Sequence, residues 1–142
     1  MTDQLATDQF MTYQFEFNAQ HKILLLRSEG RLTDSLLSEL YWLVKRYSIA
    51  TDAAAGIWDM SAVTRFDVSP EFLRHVVDRG PAMPDPTRRP RFIVAPAALG
   101  LAISHLIEIA SAQNNPLLKI VLSRDEALAA LGVQSPHFEP LA

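Results

Sequence analysis

Residues 58–72 read WDMSAVTRFDVSPEF. The apolar stretch Ala55–Trp58 leads into it, and Phe72, Leu73, Val76 and Val77 follow at helical spacing. Between strand and helix stand two aspartates, Asp59 and Asp67, and two serines, Ser61 and Ser69. A helix start needs only one such side chain as its N-cap. The pattern predicts a strand over 55–58, a polar turn from Asp59, and a helix opening at Ser69 with Pro70 in its first turn, where a missing N–H does no harm. Strand running into helix is the repeating unit of α/β folds, and the rest of the chain is read for the same unit.

Upstream, residues 12–17 alternate as Thr-Tyr-Gln-Phe-Glu-Phe, the period of a strand with one wet face. Residues 18–20 form a tight turn, and residues 21–27 hold the run ILLL of a strand buried on both faces, closed by Gly30. Thr33 and Asp34 mark a helix start, hydroxyl as cap and carboxylate at the positive end of the dipole. Leu36, Leu37, Leu40, Tyr41, Val44 and Tyr47 then recur on one face. Tyr41 and Trp42 are read as core packing or as the lining of an apolar pocket.

Downstream, Gly80 and Pro81 end the second helix, and PAMPDPTRRP at 81–90 is an irregular, proline-stiffened connection. FIVA makes a strand. Pro96 opens a third helix with Leu99, Ile103, Leu106, Ile107 and Ala110 on one face, KIVLS makes the last strand, and Ser123 with Glu126 forms a capping box for a short helix ended by Gly132. The expected fold is an α/β sandwich: a mostly parallel sheet of about five strands, an N-terminal hairpin and about four helices. Residues 11–133 form the domain, with tails at 1–10 and 134–142. Helix N-termini should gather along the carboxyl edge of the sheet, where open α/β sheets bind ligands.

The bulk numbers narrow the function. The chain has 142 residues, 49% hydrophobic and 20% charged, enough for one domain with a proper core. Thirteen Lys and Arg against 16 Asp and Glu leave a net charge of −3, so no general positive field attracts nucleic acid. The absence of cysteine removes disulfides, thiol nucleophiles and thiolate metal sites, and points to the reducing cytoplasm. No apolar run is long enough to span a bilayer. Four histidines lack metal spacing, and five glycines include neither a phosphate-binding loop nor a nucleophile elbow, so no cofactor, metal or catalytic constellation is expected. Asp59 with Asp67, and Asp125 with Glu126, read as turn and cap residues in preference to acid–base couples. TRRPR brings Arg88, Arg89 and Arg91 together as a candidate anion site.

The segments EGRLTD, IWDMSAVTRFDVS, FIVAPAALGLAISHLIEI and IVLSRDEALAALG, taken in this order, resemble the STAS family and within it the SpoIIAA-like group. The resemblance covers most of residues 12–133. It implies a STAS-like fold and a role like that of the anti-sigma-factor antagonists, in which a serine at a helix start is phosphorylated by a partner kinase. Ser69 matches that serine and Asp67 the acidic residue before it, whereas Val68 and Pro70 depart from the Asp-Ser-Ser-Gly core. The expectation is a non-catalytic regulatory module that docks a protein partner through Arg31, Thr33, Asp34, Asp59, Ser61, Arg65, Asp67 and Ser69, with Ser69 as candidate phosphosite. The alternative is a carrier or sensor of a small amphipathic or lipid ligand, with peripheral membrane contact and the three arginines on its anionic head. Homodimerisation is compatible with either.

Overall fold

The computed structural model describes residues 12–78, 82–84, 88–95 and 117–141. The first tail, Gly80–Pro81 and the helix expected from Pro96 to Ala110 lie outside them. Along the described chain run β1 (Thr12–Asn18), β2 (Ile23–Thr33), α1 (Asp34–Thr51), β3 (Ala55–Asp67), α2 (Pro70–Asp78), β4 (Arg91–Val94), β5 (Leu118–Val121), α3 (Arg124–Ala130) and β6 (Glu139–Pro140). The strands form one sheet in the order β5-β4-β3-β2-β1-β6. β2 to β5 are parallel, and β1 pairs antiparallel with both β2 and β6. This is the expected mainly parallel sandwich with a hairpin, carrying, among the described residues, six strands and three helices.

The hairpin turns where Asn18 Oδ1 accepts from the His21 amide at 2.7 Å. Lys22 follows at φ 55°. Successive residues of β2 then feed opposite layers, as a strand's alternation requires. Leu24 and Leu26 join Phe15, Leu37, Leu40, Met60, Leu73 and Ile93 under α1 and α2. Ile23 and Leu25 join Ile57, Phe92, Val94, Val121, Ala127 and Leu128 under α3.

Two expectations about strand ends are corrected. Gly30 does not close β2, which runs on to Thr33 with Gly30 at φ 98°, a conformation that glycine adopts without steric cost. Nor is 59–67 a turn: β3 continues through it for 13 residues beside the 11 of β2. The register slips between Arg27 and Glu29, which face Asp59 and Ala62, and between Gly30 and Arg31, which face Val63 and Arg65. Each slip places one extra residue in β3, and these β-bulges absorb the difference in length.

Helix starts match the sequence more closely. Thr33 caps α1 by accepting from the Leu36 amide at 3.4 Å, and Ser123 caps α3 by accepting from Glu126 at 3.1 Å. Glu126 reaches back one residue beyond the expected box, its carboxylate accepting from the Leu122 amide at 2.9 Å. α3 closes through Leu131 into Gly132 at φ 71°. The described part of the C-terminal segment, residues 134–141, docks on β1: the Asn18 side chain donates to the His137 carbonyl at 2.7 Å and the Leu141 amide to the Phe15 carbonyl at 2.8 Å.

The two buried positions Leu40 and Ser48 on α1 should behave oppositely. Leu40→Ala removes a fully buried side chain and should cost about 2–5 kcal/mol. Among the described residues the buried Ser48 hydroxyl has no hydrogen-bond partner, so Ser48→Ala should stabilise by about 0.5–1 kcal/mol. Urea denaturation decides both, and a destabilised Ser48→Ala variant would show that the hydroxyl is satisfied.

Candidate functional site

The eight residues expected to share one edge fall into two groups. β2 and β3 project past the ends of β4 and β5, because β4 pairs with β3 only as far as Asp59. Asp59 therefore lies beside the end of β4, whereas Asp67 lies at the far tip, roughly 25 Å along the strand at about 3.3 Å per residue.

At the tip, side chains from both strands and both helix starts meet. Arg31 Nε donates to Asp67 Oδ2, and Arg65 Nη2 lies 3.4 Å from the same oxygen. Asp34, first residue of α1, takes two hydrogen bonds from Ser69: the amide to Oδ1 at 2.9 Å and the hydroxyl to Oδ2 at 3.1 Å. Ser69 Oγ in turn accepts from the Phe72 amide at 3.2 Å, which caps α2. One exposed hydroxyl thus ties the heads of two helices together. Thr33 contributes through the cap of α1, its hydroxyl also 3.4 Å from Ser35 Oγ.

The second group surrounds Asp59, which is 7% exposed. Its Oδ1 accepts from the Ser61 amide and hydroxyl at 3.0 and 2.6 Å, and its Oδ2 from Arg124 Nε and Nη2 at 3.2 and 2.8 Å. Burial alone would raise the pKa of this carboxyl, but the bonds from Ser61 and Arg124 outweigh it and hold Asp59 below the ordinary carboxylate value. With both oxygens engaged it is an anchor for Arg124 rather than a proton shuttle. A cleft of about 460 Å3 opens beside it, lined by Thr12, Gln14, Arg27, Glu29, Ser61 and Arg124 among others. Arg27 lies 3.1 Å from Glu16, and the Thr12 hydroxyl donates to Glu29 at 2.8 Å, so both charged side chains are held by contacts within the chain.

Arg27 and Arg124 were not picked out from the sequence. The signal for Arg124 was its place after the Ser123 cap, at the head of a helix following a parallel strand. From there Arg124 reaches Asp59, which lies within β3 beside the end of β4.

The three arginines of the proline-rich connection lie at the opposite, amino edge of the sheet. Arg89 donates to the Ala53 carbonyl at 2.8 Å and to Asp52 at 3.2 Å, just past the end of α1. Arg91 Nε donates to the Arg89 carbonyl at 3.2 Å, and burial pulls its pKa below the usual guanidinium value. Arg88 is exposed. Arg89 and Arg91 are thus bound into the chain. Thr87, and the third helix invoked for an amphipathic ligand, lie outside the described residues. No helix among the described residues is long and apolar enough to cross a membrane.

This order of strands and helices, with a serine capping the helix after the long central strand, defines a STAS/SpoIIAA-like fold. Solved structures with the same architecture include an anti-sigma factor antagonist from Mycobacterium paratuberculosis, at 16% identity and TM-score 0.60 over 87% of this chain and 95% of that one. SpoIIAA in its unphosphorylated form is similar at 11% identity and TM-score 0.58, over 85% and 98% of the two chains. The Bacillus cell fate determinant SpoIIAA in its phosphorylated form is similar at 11% and 0.53, over 84% and 99%. At such identities the likeness is one of fold. No family model and no curated protein matches the chain.

Asp59→Asn should lower stability at neutral pH by about 1–3 kcal/mol, because Arg124 loses its charged acceptor. The depressed native pKa means that the contribution is present above the ordinary value of 3.8 and is lost as pH falls through the native one. Unfolding curves of the two proteins, recorded down a pH series, should converge in acid. A gap that persists there would rule out the ionised carboxylate as its source.

Proposed function

We propose that the chain is a non-catalytic STAS-like regulatory module that docks a protein partner through the tip of β2 and β3, with charge at Ser69 setting the strength of docking. The observation that carries this reading is the exposed Ser69 hydroxyl, bound at once to Asp34 and to the first turn of α2. The fold's likeness to anti-sigma factor antagonists, one of them solved both with and without phosphate, supports it.

The chemistry of the switch follows from the contacts. A phosphoryl group on Ser69 Oγ removes the hydrogen that Asp34 accepts and adds about −1.5 to −2 charges against that carboxylate. The dipole of α2 favours the new charge, so α2 persists while its tie to the head of α1 breaks. Arg31 and Arg65, both held on Asp67, stand beside the site as alternative counter-charges. Exposed ion pairs of this kind are worth only about 0–1 kcal/mol each, so their exchange is cheap. The surface seen by a partner changes in both charge and shape. Val68 and Pro70 alter the sequence that a kinase would read but leave the hydroxyl at its cap.

The reading is tested by comparing affinity capture from the native cells with wild-type, Ser69→Ala and Ser69→Asp baits, alongside the intact mass of the native protein. A partner retained by wild type and Ser69→Ala, and reduced at least about tenfold by Ser69→Asp, is the expected result. Equal capture by all three baits removes the tip from the docking surface. Native protein carrying one phosphate mapped to Ser69 would establish the modification itself.

A further inference from the structure

The outer line of α1 carries apolar side chains that the fold leaves uncovered. Trp42 and Ile49 are 62% and 63% exposed, on the side of the helix opposite the buried Leu37, Leu40 and Ser48. The core or pocket expected for Trp42 is therefore not where it sits. Ser35, Ser38, Trp42, Lys45 and Ile49 recur at alternating intervals of three and four residues, the seam along which one helix packs on another. Lys45 Nζ lies over the Trp42 ring at 5.6 Å from its centroid. Glu39 and Arg46 flank the seam on one side, one turn before and one turn after Trp42, and among the described residues neither is ion-paired.

We propose that this face joins two copies of the chain, α1 against α1 in antiparallel fashion, about a two-fold axis at Trp42. Such an axis sets positions equally far before and after Trp42 opposite one another. Trp42 then packs on its mate, Ile49 covers Ser35 of the second copy, and Lys45 reaches Ser38 of the second copy. A two-fold axis lying across the helices also keeps each flank on its own side. Glu39 therefore meets Arg46 of the second copy, and the reciprocal pair forms at the other end. A parallel pair would set each flank against the opposite one and lose both ion pairs. The self-complementary charge favours a second copy over an anionic bilayer, which would leave Glu39 without a counter-charge. α1 has 18 residues and is about 27 Å long. One helix face buries less than the roughly 800 Å2 per partner of a standard interface, which places the pair among the weak, transient ones.

Sedimentation velocity of the full chain from about 1 µM to about 500 µM tests this directly. The expected result is a concentration-dependent dimer that Trp42→Ala abolishes. Glu39→Arg and Arg46→Glu should each weaken it by about tenfold or more, since like charges then meet twice. The variant carrying both reversals should recover to within about threefold of wild type, because the pairs reform with their signs exchanged. Circular dichroism of each variant separates lost association from lost folding. A monomer at every concentration, or a dimer indifferent to both single reversals, overturns the proposal. So does a monomer that binds phosphatidylglycerol vesicles through Trp42, which would make a lipid surface the occupant.

Discussion

The parallel pairing of β2 with β3 is the constraint on which the remaining structure depends. These strands lie at the centre of the sheet, and their alternating side chains fill both apolar layers. β4 and β5 add to one side of this ribbon at its amino half only, and β1 covers the other side. Beyond Asp59 no described strand pairs with the ribbon on its β4 side, and α1 and α2 begin where it ends. The two bulges let an 11-residue strand and a 13-residue strand finish together, at Thr33 and Asp67. Without them the heads of α1 and α2 could not lie within one hydrogen bond of each other.

That arrangement concentrates charge at the tip without leaving it unsatisfied. Asp67 receives two arginines, and Asp34 receives the amide and hydroxyl of Ser69. Such contacts are individually weak in water, so they orient the side chains in the free protein and yield when a stronger competitor arrives. The Asp59 group is built differently. Its carboxylate is buried and doubly anchored, and losing one partner there strands the other. Physical chemistry thus separates an adaptable surface at the tip from a fixed strut at the end of β4, although the sequence places both within one short stretch.

Local chemistry was legible where one residue decides the outcome. Thr33, Ser69 and Ser123 cap helices because each offers a short hydroxyl at the right place, and the ILLL run is buried on both faces because no alternative hides it. The long end of β3 was not legible. Two bulges break its alternation, so Ser61 with Ala62 and Thr64 with Arg65 read as a polar turn rather than as a strand out of phase. Gly30 misled for a related reason, since glycine weakens strands in general yet here supplies the positive φ that the irregular register uses. The seat of the C-terminal segment is set by the free edge of β1, and two residues of strand leave no periodic trace. For the site, the Asp34–Ser69 link lies in pairwise geometry across 35 residues, which no local pattern encodes.

Helix α1 connects the two surfaces. Its first residue holds Ser69, its next begins the outer seam, and its last turn stops above Asp52, where Lys22 and Arg89 converge. In the antiparallel pair inferred above, Ile49 of the second copy rests on Ser35, one residue beyond Asp34. Any event that frees Asp34 therefore acts on the turn that carries one end of the seam. A helix transmits such a displacement because its backbone hydrogen bonds keep it stiff over 18 residues, and its inner face is fixed by Leu37 and Leu40 against the sheet. The first turn, with Asp34 and Ser35 only half-buried or exposed, is the part free to respond. On the two readings proposed above, docking at the tip and self-association along α1 would be coupled through a single turn of helix, with no need for rearrangement in the core.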